Sequence, residues 1–238
     1  MKIITIDHNS TGQELGLCPG DEVLRINGEP VRDILDYRFL TADDTIEMEI
    51  RRGDEHIIFD IEKDTDDSLG VNFAPLKIRR CGNDCIFCFV DQNPAGMRST
   101  MYFRDEDFRL SFLSGHYVTL SNMSRHDLER VVRQRLTPLF ISVHATEPAV
   151  RQFLLGIKFD DRLLDKFTYL TQNGIELHTQ IVLCPEINDG EVLRKTLWDL
   201  AGFYPHLRSV AVVPVGLTKH REGLTPIKPV TKAYVQQF

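Results

Sequence analysis

The 238-residue sequence has no run of 18 apolar residues, which excludes a hydrophobic membrane-spanning helix. A secretory signal is not expected in Met-Lys-Ile-Ile-Thr-Ile-Asp-His, which reaches Asp7 before an apolar core segment can form. Cysteine is scarce. Three of the five cysteines fall in one short segment, a pattern of metal ligands rather than a disulfide framework, and a cytoplasmic location is expected. A strong basic excess is missing too: residues 75–238 carry a net charge of only +4, too little to indicate nucleic-acid binding. Residues 1–74, by contrast, hold 18 acidic and 7 basic side chains, which reads as a solvated acidic face. This shift argues for two domains, 1–74 and 75–238, within a chain long enough for one large or two modest cores.

The first domain reads as short strands and turns. Lys2–Asp7 alternates apolar and polar residues, as a half-buried strand does. Pro19-Gly20-Asp21 and Asn27-Gly28-Glu29 are turn signals that bracket a strand over Glu22–Ile26. Leu35–Leu40 suggests a short helix, and Thr45–Arg51 with His56–Ile61 flank Arg52-Gly53-Asp54-Glu55 as a hairpin. The string Gly16-Leu-Cys-Pro-Gly-Asp-Glu-Val-Leu-Arg-Ile-Asn-Gly-Glu-Pro-Val31 resembles bacterial PDZ domains. Such a resemblance implies a small, mostly β module that adds a partner's extended peptide to a sheet edge. Leu69-Gly70-Val71-Asn72-Phe73 is similar to that family's Gly-Leu-Gly-Phe carboxylate loop, moved to the domain's end as in a circular permutation. On this resemblance Leu69, Gly70, Val71 and Phe73 are the peptide-binding residues; an ordinary interdomain strand is the competing reading.

The three clustered thiols are Cys81, Cys85 and Cys88, spaced C-x3-C-x2-C. Soft thiolates from one loop suit iron–sulfur clusters or zinc. Structural zinc wants a fourth Cys or His at ordered spacing, and neither Cys18 nor Cys184 belongs to a second pair. Unliganded thiols are the third reading.

Downstream, strand and helix alternate as in parallel α/β folds. Strands are expected at Leu76–Arg80, Arg109–Leu113, Tyr117–Leu120, Leu139–Val143, Ile175–Cys184 and Ser209–Val215. Helices are expected from Ser124, over Asp161–Gln172 with an Asn173-Gly174 stop, and over Glu191–Phe203. Thr231-Lys-Ala-Tyr-Val-Gln-Gln-Phe238 reads as the start of a further helix.

With Phe87 before the third cysteine, the motif resembles the radical S-adenosylmethionine (SAM) superfamily. That resemblance implies a partial (β/α)6 barrel over about residues 76–216. It also implies a [4Fe–4S] cluster on Cys81, Cys85 and Cys88 whose open iron binds SAM, and a low-potential electron donor such as flavodoxin or ferredoxin. Ile141-Ser-Val-His-Ala145 and Ile181-Val-Leu-Cys-Pro-Glu-Ile-Asn-Asp189 are similar to strand ends of the superfamily that lie near SAM. The resemblance therefore assigns Phe87, Ser114, Gly115, Ser142 and Asn188 to the SAM pocket, with His144 read as structural. One departure is plain. The superfamily's Gly-Gly-Glu, which holds the SAM amino group, is replaced by Ser114-Gly115-His116, with no carboxylate. The link Leu113–Tyr117 is also too short for a parallel crossover, so Arg109–Leu120 is alternatively one kinked strand. The PDZ-then-radical-SAM order resembles a family of bacterial iron–sulfur proteins whose members continue into a further C-terminal domain. The leading expectation is an oxidoreductase-type radical SAM enzyme of unnamed substrate. The alternatives are a non-catalytic iron–sulfur carrier or scaffold and a zinc-stabilised binding module.

Overall fold

A computed structural model describes residues 1–237, which divide into two compact units, Met1–Lys77 and the residues from Ile78 onward. In the first unit, alternation builds the sheet. β4 (Thr45–Arg52) buries Ile46, Met48 and Ile50 and turns Glu47 and Glu49 outward, and it pairs antiparallel with β5 (Glu55–Glu62) across the Gly53-Asp54 turn. β2 (Glu22–Ile26) and the short β3 (Glu29–Pro30) complete the order β3-β2-β4-β5. β1 (Ile3–Ile6) leads into the single turn α1 (Thr11–Glu14). α2 (Ile34–Leu40) begins where Asp33 accepts from the Leu35 and Asp36 N–H groups. Ile3, Val23, Ile26, Met48 and Ile50, all fully buried, form the core with Leu69.

Leu69–Phe73 is built into this unit, with Leu69 in its core and Val71–Phe73 in one of its sheets. β6 (Val71–Phe73) lies antiparallel on β1, with Ile6 opposite Val71 and Ile3 opposite Phe73. Gly70, at φ +68°, approaches so closely that a Cβ there would lie 2.3 Å from that of Ser10.

The second unit contains α3 (Phe108–Ser114), α4 (Arg125–Arg133), β7 (Leu139–Ser142), α5 (Pro148–Leu155), α6 (Leu163–Gln172), β8 (Leu177–Leu183), α7 (Gly190–Ala201), β9 (Leu207–Pro214) and α8 (Lys232–Gln237). Ser124 and Asp127 cap α4 reciprocally, the expected start signal. β7, β8 and β9 form a parallel sheet whose strands are joined through helices. Phe238 lies outside the described residues.

Three strand expectations are corrected. Leu76–Arg80 contributes only a single bridge, Arg80 to Asp105, and Tyr117–Leu120 only the parallel bridge Val118 to Ile141. Arg109–Leu113 is helical, because the Asp107 carboxylate caps the Arg109 N–H and Gly115 takes the left-handed conformation that closes α3. The apparent crossover problem at Leu113–Tyr117 therefore disappears. Among the described residues the second unit has three parallel strands plus one bridged segment, fewer than the six strands expected. No described helix is long and apolar enough to cross a membrane.

Candidate functional site: the cysteine loop

Cys81, Cys85 and Cys88 are half-buried, and negative charge on Cys88 raises the pKa of Cys81 and Cys85 while that on Cys81 raises Cys85, so the three thiols lie close together. Their loop has little regular structure and is held by backbone bonds. Asp84 N–H and Ile86 N–H donate to the Leu155 and Leu154 carbonyls at 2.9 and 3.1 Å, at the C-terminal end of α5. Immediately after them, Gly156 (φ +63°) presses against the loop: a Cβ there would sit 2.2 Å from the Asp84 carbonyl oxygen. From the other side, buried Gln92 donates to the Phe87, Cys88 and Gly216 carbonyls and accepts from Thr218 N–H. α5, with Pro148 at its first turn and Gly156 at its end, was missed in the sequence, although that pairing is a helix signature.

Burial raises the pKa of all three thiols. Other groups at the site favour thiolates. The Asn83 N–H points at Cys81 Sγ (3.4 Å), and the Val90 and Asp91 N–H groups donate to Cys88. The Arg104 guanidinium stabilises negative charge on Cys81 and Cys88 while binding the Asn83 carbonyl and Asp91. Arg221 adds an unusual feature. Its Nη2 donates to the Ile86 carbonyl within the motif, whereas its buried Nη1 has no partner among the described residues.

A buried carboxylate that the sequence reading did not single out stands nearby. Glu106 Oε1 accepts from Thr119 N–H (2.6 Å), Thr119 Oγ1 (2.9 Å) and Leu120 N–H (2.9 Å), just past the bridged residue Val118. Thr119 Oγ1 in turn accepts from Asn83 Nδ2 in the cysteine loop, whose Oδ1 accepts from Ser121. Glu106 has no cation bonded to it among the described residues, and burial pushes its carboxyl up to about 7. Its charge also raises the pKa of Cys81 and Cys85. Beneath it, Arg151 is buried against Asp161 and donates to the Ser142, Val143 and Thr119 carbonyls, gathering the ends of β7 and the bridged segment.

The expected pocket residues fall in different places. Phe87 meets the His144 ring edge-on at 4.7 Å. Ser142 ends β7, where its carbonyl accepts from Arg151. Ser114 and Gly115 instead close α3, with Gly115 beside the Phe140 ring at the start of β7. Asn188 is fully buried and locks the loop after β8, accepting from Cys184 N–H and donating to the His144 and Val182 carbonyls. His144 Nδ1 accepts from Val182 N–H, and burial lowers the imidazole pKa to about 3, so the ring is neutral. Cys184 is sealed in an apolar cluster and Cys18 is exposed. A separate groove of about 730 Å³ between α7 and α8 contains none of these residues.

Among the described residues no three His, Cys, Asp or Glu side chains are drawn together as a single metal ion requires. A cubane makes a different demand, taking each thiolate at a different iron. Three close soft donors, N–H groups aimed at sulfur, a guanidinium and an orphaned buried donor fit an anionic iron–sulfur group.

No curated protein matches the chain. A PDZ domain model matches residues 3–52, in the first unit. The Radical SAM-like domain model matches residues 63–210, more than half of the sequence, so the chain belongs to the Radical SAM-like domain family.

Proposed function

We propose that Cys81, Cys85 and Cys88 hold a [4Fe–4S] cluster and that the protein is a SAM-dependent radical enzyme with a peptide-docking PDZ-like module. The observation that carries this reading is the convergence of three thiols on one loop clamped by α5 and Gln92. SAM bound at the open iron would supply a 5′-deoxyadenosyl radical after reduction by a flavodoxin- or ferredoxin-like donor. The chain's own residues then have distinct tasks. Arg104 and the loop N–H groups offset thiolate charge. Phe87 and the neutral His144 give the site an apolar wall. Glu106 and Arg221 supply a carboxylate and a guanidinium beside the loop, suited to the ammonium and carboxylate ends of a methionyl group, in place of the missing Gly-Gly-Glu. Ser142, at the end of β7, and Asn188, in the loop after β8, would line the SAM pocket, whereas Ser114 and Gly115 close α3 beside the start of β7. The protein orients the cofactor; the radical chemistry is the cofactor's own.

The test is anaerobic reconstitution followed by iron and sulfide analysis, visible spectroscopy and a SAM-cleavage assay. Cys81→Ala, Cys85→Ala and Cys88→Ala should each abolish the brown chromophore, whereas Cys18→Ala and Cys184→Ala should keep it. Loss in Cys184→Ala would reveal a fourth protein ligand and close the iron that SAM needs. The missing Gly-Gly-Glu favours a second reading, a non-catalytic iron–sulfur carrier docked to a partner; an intact cluster whose paramagnetic resonance ignores excess SAM would establish it. Stoichiometric zinc without sulfide would establish the zinc module.

A further inference from the structure

The first unit holds a groove of about 510 Å³ between α2 and β6, with Ile34, Tyr37, Val71 and Phe73 in its lining. β6 pairs with β1 along one edge only; among the described residues its other edge is unpaired. Such an edge beside a helix can accept an extended chain, whose main chain supplies affinity and whose side chains supply selectivity. The end of the groove that a C-terminal carboxylate would use is poorly made for one. Binding a carboxylate needs free backbone N–H donors in a positive field, yet the Gly70 N–H is already bonded to Ser68 Oγ at 3.1 Å. The Leu69 side chain is buried in the core and its carbonyl is bonded to the Gly12 N–H.

The field there is negative. Asp66 and Asp67, both exposed, line the groove on a turn closed by the Asp67 N–H to the Asp64 carbonyl at 2.9 Å and braced by Lys63. The lining's cation is Arg38. Residues 1–77 as a whole carry 18 acidic against 8 basic side chains. An incoming carboxylate would meet like charge at close range, whereas lysine or arginine would meet opposite charge.

We infer that this groove takes an extended, positively charged internal segment of a partner protein, added as a strand to β6 with its Lys or Arg side chains at Asp66 and Asp67, rather than a free C-terminus. The inference rests on the peptide-docking reading above and narrows it to a ligand class.

The experiment uses the full chain and two synthetic peptide pools sharing a β-branched and aromatic core. One pool is flanked by lysine and blocked at both ends; the other lacks lysine and has a free C-terminal carboxylate. Fluorescence anisotropy should show the blocked basic pool binding more tightly, with affinity falling as salt is raised. Asp66→Asn with Asp67→Asn should weaken that binding by roughly tenfold, about 1.4 kcal/mol, with circular dichroism unchanged because both side chains are exposed. Tighter binding of the free-carboxylate pool, or no response to the double substitution, would overturn the charge assignment while leaving peptide docking intact. Failure of both pools to bind would overturn peptide docking itself, and the assignment with it.

Discussion

His144 and Glu106 are buried titratable groups whose pKa values are displaced in ways that act oppositely on stability. Burial lowers the His144 imidazole from 6.5 to about 3, so the unfolded chain takes up that proton first. Its contribution to stability is whole above 6.5 and declines as the pH falls toward 3. Burial raises Glu106 from 4.5 to about 7, so the folded chain holds this proton more tightly. That contribution is whole below 4.5 and is lost as the pH rises through 7. Between 4.5 and 6.5 the slopes oppose each other and partly cancel in the unaltered, cluster-free protein. Single substitutions should separate them. Glu106→Gln keeps an oxygen acceptor for Thr119 and Leu120, and its stability relative to the parent should improve as the pH rises. His144→Asn keeps a short polar group that tolerates the left-handed backbone (φ +63°), and its relative stability should improve as the pH falls. Urea midpoints across this pH range provide the measurement. Difference curves that are flat for both variants would show that neither group titrates as its burial implies.

Among the elements, α5 has the most concentrated role. Its final carbonyls hold the cysteine loop, Gly156 permits the contact, and Arg151 on the same helix collects the carbonyls of Thr119, Ser142 and Val143. Gly156→Ala adds both a contact 2.2 Å from the Asp84 oxygen and a strained backbone, so the loop must shift. Iron loading should fall severalfold or more while the far-ultraviolet circular dichroism is retained; full loading would show that the clamp is dispensable. Arg151→Met leaves Asp161 buried without its cation and should cost about 3–5 kcal/mol in urea unfolding. The same helix shows where the sequence stopped being legible. β2, β4 and β5 were readable because antiparallel strands with one wet face alternate, and Asn-Gly and Gly-Asp turns mark their limits. The run Phe108-Arg-Leu-Ser-Phe-Leu-Ser114 also alternates, yet Asp107 and Gly115 at its ends make it a helix; caps, not periodicity, decided that segment. The three clustered thiols were legible as a spacing. Glu106, Arg151 and Gln92 were not, because their roles arise from long-range hydrogen bonds that leave no local pattern.

In the whole molecule, the contacts argued for peptide docking and those argued for the cluster belong to different units. The groove and the core beneath it are built from residues up to Phe73, whereas the cysteines, their clamp and their charged neighbours all follow Ile78. Core deletions should therefore separate the two activities. Ile50 is fully buried and stands opposite Val23 and Ile57 on adjacent strands, so Ile50→Ala should cost about 2–5 kcal/mol. That is a large part of the stability expected of a small domain, and peptide capture should fail at lower urea. Iron loading should persist. Leu154 is equally buried, packs with Ala145, Cys184 and Val215, and offers its carbonyl to Ile86 N–H. Leu154→Ala should produce the opposite pattern, with iron loading lost and peptide capture kept. Both readouts follow from one urea series on each reconstituted variant. Loss of both activities together in either variant would mean that the units depend on each other for folding, and that a peptide at the groove and a cluster at the cysteines are thermodynamically coupled.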